Sequence, residues 1–263
     1  VVDTLLSVGA RISVIDDLSN SSLFHLAELI ELEPDRVRFV QGSILEDEAL
    51  AQAMEGVQVV VHLAAVGSVP LSIDQPERSW EVNATGTVRV LEASRRVGVR
   101  RVVFAASSSA YGDTETLPKV ETMTARPLSP YAVSKLAGEH LMRVWSGCYG
   151  LSTASVRYFN IFGPRQSADS AYAAVISAFA KRLLAGEPPV IYGDGEQSRD
   201  FTFVSNAVVA TLLAGELSVA CAGEVINVGT GRSISLLELA GRMGELAAAD
   251  GSMVPEPIHE KPR

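Results

Sequence analysis

Cysteine, histidine and lysine are all scarce in this chain of 263 residues, and each shortage excludes something. Cys148 and Cys221 are the only cysteines. They are too few and too far apart in sequence for a disulfide framework or a zinc motif, and both read as reduced thiols. The histidines His25, His62, His140 and His259 never approach metal-ligand spacing, which argues against a metal site. Basic blocks are missing too. With a net charge of −9, nucleic acid and anionic membranes are poor candidate partners, although a few local arginines leave room for an anionic small molecule. No apolar run reaches membrane-spanning length and no signal-peptide pattern opens the chain, so a cytoplasmic location is expected.

The composition is that of an ordinary globular protein, 47% hydrophobic and 20% charged, long enough to bury a sizeable core as one domain or as a large and a small one. Short β-branched runs alternate with amphipathic stretches. RISVID (11–16), RVRFV (36–40), VQVVVHLA (57–64), RRVVFAA (100–106) and LSTASVRYF (151–159) read as strands. Between them, helices are expected over 23–32, 45–54, 78–98 and 129–150. Ser129 suits the N-cap of the last, Pro130 its first position and Gly150 its end. This alternation predicts βαβ units and an α/β fold with a doubly wound parallel sheet. After residue 160 turn-rich loops intervene, followed by a helix over 204–216, a strand at 224–229 and a helix over 235–247.

The opening, VVDTLLSVGA, reads as the back half of a helix ending at Gly9. A dinucleotide fold normally begins with a strand and a glycine-rich turn whose amides receive the pyrophosphate, and neither is present. One reading is a fold that starts with a helix and binds no dinucleotide. The preferred expectation is an upstream strand and glycine loop, with the strand placed between RISVID and VQVVVHLA. Asp16 would then close the second strand, where an acidic residue takes the ribose hydroxyls.

One of the four lysines stands in SPYAVSK (129–135), four places after a tyrosine. On a helix, Tyr131 and Lys135 share a face. Such a pair arises by chance in roughly one chain in ten, and alone it equally fits a solvated helix surface. Upstream, FAASSSAYGD (104–113) follows a buried strand, where such sheets present residues to ligands. The two motifs together, on the right kinds of element, favour a catalytic unit.

At these residues the chain resembles the extended short-chain dehydrogenase/reductase family, and within it the nucleotide-sugar 4-epimerases. The similar segments are VIDDLSN, HLAAVGSVPLSI, WEVNATGT, SSSAYGD, SPYAVSK, RYFNIFGPRQ, AYAAVI, GDGEQSRDF, INVGTG and the closing KPR, spread over the whole chain. SVPLSI, SSSAYGD and AYAAVI look closest to the branch acting on UDP-N-acetylhexosamines and UDP-hexoses. The departure from that family is the absent GxxGxxG, and an inactive fragment is one alternative reading.

The resemblance implies NAD as cofactor and a UDP-sugar as substrate. It implies a truncated Rossmann-like NAD-binding domain over 1–160 and about 202–230, and a smaller substrate-binding domain over 161–201 and 231–263. Tyr131 would remove the proton of the sugar 4-hydroxyl as hydride leaves C4, Lys135 would favour the phenolate and hold the nicotinamide ribose, and Ser107 would hydrogen-bond the reacting oxygen. A tyrosine working near neutrality needs its pKa lowered from ~10, roughly 4 kcal/mol for three units. Ser108 and Ser109 would be neighbours of the sugar. Related 4,6-dehydratases carry Asp-Glu where this chain has those serines, and related UDP-glucuronate decarboxylases carry a glutamate in this loop; both reactions need the extra proton handlers, whereas epimerisation does not. Leu63, Ala64, Ala65, Asn83 and Tyr158 would line the cofactor. Asn160, Tyr192, Arg199 and Arg263 would hold the nucleotide, the two arginines gripping the diphosphate and Tyr192 the uracil. A homodimer through the helices at 78–98 and 129–150 is a further expectation. Rival readings are another nucleotide-sugar dehydratase, decarboxylase or reductase, and a cofactor-sensing regulator of the same fold.

Overall fold

The computed structural model describes residues 1–167, 174–248 and 255–261. The chain divides into two compact units, one of Val1–Arg157 and Val208–Asn227 and one of Tyr158–Ala207 and Val228–Arg263. The strands in chain order are β1 (Ile12–Asp16), β2 (Val37–Gln41), β3 (Val59–His62), β4 (Arg101–Ser107), β5 (Thr153–Tyr158), β6 (Ile161–Phe162), β7 (Val190–Tyr192), β8 (Ser198–Arg199), β9 (Thr202–Phe203), β10 (Ala222–Val228), β11 (Ile234–Ser235) and β12 (Ile258–Glu260). The α-helices are α1 (Val2–Ser7), α2 (Phe24–Leu32), α3 (Asp47–Ala53), α4 (Val69–Asp74), α5 (Pro76–Trp80), α6 (Gly86–Val97), α7 (Pro130–Tyr149), α8 (Val175–Leu184), α9 (Val204–Glu216) and α10 (Leu236–Ala247).

The first unit is built on the sheet β10-β5-β4-β3 and the parallel pair β1-β2, whose register runs from Ile12 opposite Val37 to Asp16 opposite Gln41. Strand β4 lies at its heart. Every one of its residues is buried, as expected of a strand covered on both faces. Val102, Phe104 and Ala106 pack with Leu91 of α6 and Met142 of α7. On the opposite face Val59 and Val103 meet α9, where a Cβ built on Gly215 would lie 3.5 and 3.9 Å from them. No ladder among the described residues joins β1 to β3, so the sheet is open where the sequence pattern predicts a further strand. Ile15 and Val60, from either side of that opening, still pack on one cluster of Ile44, Leu50, Met54 and Val90.

Helix α7 has the ends its sequence predicts. The Ser129 hydroxyl accepts from the Ala132 amide at 3.1 Å, Pro130 opens the helix, and Gly150 closes it at φ 70°. It approaches β4 closely at Gly138, where a Cβ would stand 2.3 Å from the Phe104 ring. The helix predicted over 78–98 is interrupted: a five-residue π turn, Glu81–Thr85, separates α5 from α6. Asn83 explains it. Its side chain bonds outward to Val66 and Ser134, while its carbonyl accepts the Thr87 hydroxyl at 2.6 Å, and capture of a carbonyl by a side chain opens the helical ladder.

Arg157 of β5 and Glu139 of α7 form a buried, two-pronged ion pair at 2.7 and 2.6 Å, with the guanidinium lying 4.6 Å from the centre of the Tyr111 ring. In the second unit, α8 and α10 close on a core of Phe179, Ile191, Leu239 and Ala240. There the SRDF and VGTG segments are clasped by Asp200, whose carboxylate accepts from the Thr230 amide and hydroxyl and from the Gly231 amide at 2.7 to 3.0 Å.

Candidate active site

Strand β4 ends at Ser107, and a single turn of 3-10 helix, Ser108–Tyr111, folds back over its end. The Ser107 hydroxyl accepts from the Ser109 amide at 3.2 Å and from the Ser109 hydroxyl at 2.8 Å. It also hydrogen-bonds the Tyr131 phenol, which reaches it from the first turn of α7. One helical turn on, the buried Lys135 donates its Nζ to the Ala105 carbonyl at 2.9 Å and lies 5.0 Å from the centre of the Phe104 ring and 6.0 Å from that of Tyr131. The structure thus brings Ser107, Tyr131 and Lys135 together, at the carboxyl end of a fully buried strand.

The electrostatics run against the simplest expectation from sequence. Burial raises the Tyr131 pKa above its ordinary 10.0, and the Ser107 hydrogen bond, which pulls the other way, does not offset it. Burial also lowers Lys135 from 10.5 to about 8. The chain by itself therefore holds a neutral phenol beside a mostly protonated amine at pH 7.

His62, ending β3, completes the buried group. Its ring is tilted against Phe104 at 5.5 Å, and its Nε2 is 2.9 Å from the Thr87 hydroxyl. That hydroxyl already donates to the Asn83 carbonyl, so it accepts from Nε2–H and sets the tautomer. Burial, assisted by the Lys135 charge, pushes His62 down to about 3, and the ring is neutral.

Asp16 ends β1, where its Oδ1 accepts from the Leu18 amide at 2.8 Å and the Ser21 hydroxyl at 2.9 Å. Leu63, Ala64 and Ala65 follow β3 directly, and Leu63 is half exposed although the strand before it is apolar. Asn83 is 1% exposed and spends its amide inside the protein, on Val66 N at 2.7 Å, Val66 O at 3.2 Å and the Ser134 hydroxyl at 3.0 Å. An acidic residue, a short apolar run and an ammonium at strand carboxyl ends suit the ribose and ring portions of a dinucleotide.

In the second unit, Tyr158 closes β5 and Asn160 follows it, its amide bonded to the Asp200 carbonyl at 2.9 Å and its side lining a cleft of about 140 Å³ with Val175 and Phe201. Tyr192 ends β7 opposite Glu260. Arg199, in β8, is exposed, and its Nη1 donates to the Ser198 carbonyl at 2.8 Å. Arg263 lies outside the described residues. Sequence reasoning did not reach His62, Ser72 or Ser134. The only trace of Ser134 was a hydroxyl inside a helix, directly before the lysine.

A two-faced α/β sheet with a Ser-Tyr-Lys group at the carboxyl end of a central strand defines the Rossmann-like short-chain dehydrogenase/reductase class. The chain belongs to the NAD-dependent epimerase/dehydratase family, whose model matches residues 1–229. NAD is the cofactor on which that family depends. The UDP-glucose 4-epimerase of Mycolicibacterium smegmatis is 38% identical over 242 residues, spanning 90% of this chain and 75% of the relative. A UDP-N-acetyl-α-D-glucosaminuronate decarboxylase from Bacillus cytotoxicus is 31% identical, over 98% of this chain and 79% of its own. The crystal structure of Thermus thermophilus UDP-glucose 4-epimerase in complex with NAD superposes with a TM-score of 0.88 at 33% identity, covering 100% of this chain and 82% of that one.

Proposed function

We propose that the chain carries the catalytic residues of an NAD-dependent 4-epimerase of UDP-hexoses or UDP-N-acetylhexosamines, working through a 4-keto sugar. The observation that carries this reading is the group of Ser107, Tyr131 and Lys135 beside a turn that holds serines, not carboxylates, at positions 108 and 109. NAD, when bound, supplies the acceptor and donor of hydride. Tyr131 takes the proton of the sugar 4-hydroxyl and later returns it, and the Ser107 hydroxyl orients the phenol and the reacting oxygen. Lys135 adds the positive charge that a phenolate needs, and it holds a ribose hydroxyl. Because burial keeps the phenol neutral in the chain alone, the base becomes effective only as positive charge accumulates beside it.

The first unit, extended to the adjoining Tyr158, is read as the cofactor-binding domain, with Asp16, Leu63, Ala64, Ala65 and Tyr158 along the dinucleotide. The second is read as the substrate-binding domain, with Asn160, Tyr192, Arg199 and Arg263 on the UDP moiety. Exposed Trp80, Val133 and Val144 on α5 and α7 support a homodimer formed through these helices. A cytoplasmic enzyme fits the thiol content and the acidic charge. A dehydratase or decarboxylase is the second reading. It is favoured by the name of the Bacillus relative and disfavoured by the serines of the turn.

Incubation with UDP-galactose and with UDP-N-acetylgalactosamine in the presence of NAD should yield the 4-epimer with no net NADH. A 4-keto-6-deoxy or decarboxylated product would overturn the choice of reaction. Tyr131→Phe should cut turnover by about 10²- to 10⁴-fold while UDP-sugar still binds.

A further inference from the structure

Tyr131 is the second residue of α7, a position where the backbone N–H has no partner within the helix. Here that orphan donor is taken by the Ser72 hydroxyl of α4, at 3.1 Å. Ser72 in turn donates to the Val69 carbonyl at 2.6 Å, so its oxygen is held from both sides. The other polar group of the same residue is held as well, since the Tyr131 carbonyl accepts the Ser134 hydroxyl at 2.8 Å. Ser134 accepts from the Asn83 amide at 3.0 Å, and Asn83 grips both backbone groups of Val66 from the π turn. Ser72 and Ser134 are 0% exposed and Asn83 is 1% exposed. Three separate segments, α4, the π turn and the loop after β3, thus converge on one residue through its main chain.

We propose that Ser72 and Ser134, the latter anchored by Asn83, are positioning residues that fix the Tyr131 phenol. The inference rests on the reading of Tyr131 as the proton-transferring group. The phenol oxygen stands at the far end of a long, rigid side chain, so a small rotation of the first turn of α7 displaces it from Ser107. A misplacement of about 1 Å can cost roughly a hundredfold in rate. The helix could form without this arrangement, because Ser129 already caps the Ala132 amide and Pro130 has no N–H to satisfy. Two hydroxyls on the Tyr131 peptide therefore do more than start a helix: they set where its side chain begins.

The test places 3-fluorotyrosine at position 131 of the whole chain, chosen because its phenol titrates at a milder pH, and follows its fluorine resonance against pH. In the wild type, burial should hold the midpoint above that of the free amino acid. In Ser72→Ala and in Ser134→Ala a phenol moved off Ser107 loses the hydrogen bond that lowers its pKa while the ring stays buried. The midpoint should therefore rise further by on the order of half a pH unit or more, with a broadened line and an unchanged circular dichroism spectrum. An unchanged midpoint and line width in both variants would overturn the proposal. Should either variant fail to fold, amide exchange in the wild type decides. Tyr131 N–H should be protected like that of Ala132, and exchange at the rate of an open amide would show that the Ser72 bond does not form. Turnover by Tyr131→Phe judges the base separately. If it is retained, the base reading fails while the fluorine titration still reports whether the peptide is held.

Discussion

Replacing Lys135 by methionine should make the protein more stable near neutrality, and the gain should shrink as the solution is made alkaline. The amine is buried, and that burial lowers its pKa from 10.5 to about 8. Below pH 8 both folded and unfolded chains hold the proton, and folding bears the whole cost of hiding the charge. Two and a half pH units correspond to roughly 3 kcal/mol. Between about pH 8 and 10.5 the folded chain releases the proton that the unfolded chain still binds, so wild-type stability climbs with pH. Methionine fills a similar volume without charge. It also forfeits the bond from Nζ to the Ala105 carbonyl, worth about 1–2 kcal/mol, and the contact with the Phe104 face, worth about 0.5–1 kcal/mol. At pH 7 the variant should therefore gain on the order of 1 kcal/mol. Its advantage at about pH 10 should be smaller by roughly 2–3 kcal/mol, reversing the sign. Urea unfolding of both proteins at the two pH values measures this directly. A stability difference that is the same at both would refute the claim that Lys135 is buried at such cost.

Acid should expose the matching property of His62. Its folded pKa of about 3 lies far below the ordinary 6.5, so the unfolded chain alone gains a proton as the pH falls through 6.5. His62→Gln removes that loss, and relative to wild type the variant should be about 2–3 kcal/mol more stable near pH 4.5 than near pH 7, as read by urea unfolding at both. Glu139→Gln leaves the buried Arg157 without its counter-charge and should cost about 3–5 kcal/mol, whereas Glu139→Gln combined with Arg157→Met should cost less, a comparison for thermal or urea unfolding. Two glycines of α7 should respond with opposite signs. Gly138→Ala drives a methyl into the Phe104 ring and should lose about 1–3 kcal/mol, while Gly147→Ala meets open space and should gain about 0.5–1 kcal/mol, both read from melting curves.

Local patterns carried much of this structure into the sequence. A buried run such as RVVFAA could only be a covered strand, and Ser129, Pro130 and Gly150 mark the ends of α7 because capping chemistry is decided by neighbours a few places away. The Tyr131–Lys135 pair and the serines after β4 were legible for the same reason: each depends on the period of one element. The π turn was not. Its cause lies in bonds from Asn83 to Val66 and Ser134, 17 and 51 positions away, which no periodicity encodes. The direction of the Tyr131 pKa was also hidden, since it depends on how deeply α7 sinks against β4, and that depth is set by Gly138 meeting Phe104. The Glu139–Arg157 pair escaped because a glutamate in a helix and an arginine in a strand usually face water.

The π turn also sets the phase of the chain on either side of it. An α-helix advances by about 100° per residue, so one surplus residue in Glu81–Thr85 turns Pro76–Trp80 by that angle relative to Gly86–Val97. In a continuous helix Ser79 and Val90, eleven residues apart, would lie within about 20° of each other. The offset therefore splits what would be one stripe into two, with buried Ser79 on α5 and buried Val90, Leu91 and Ser94 on α6 facing different directions. Removing a single residue there would let the winding become regular while Pro76–Trp80 and Gly86–Val97 keep their present phase, so both buried stripes would stay where they are.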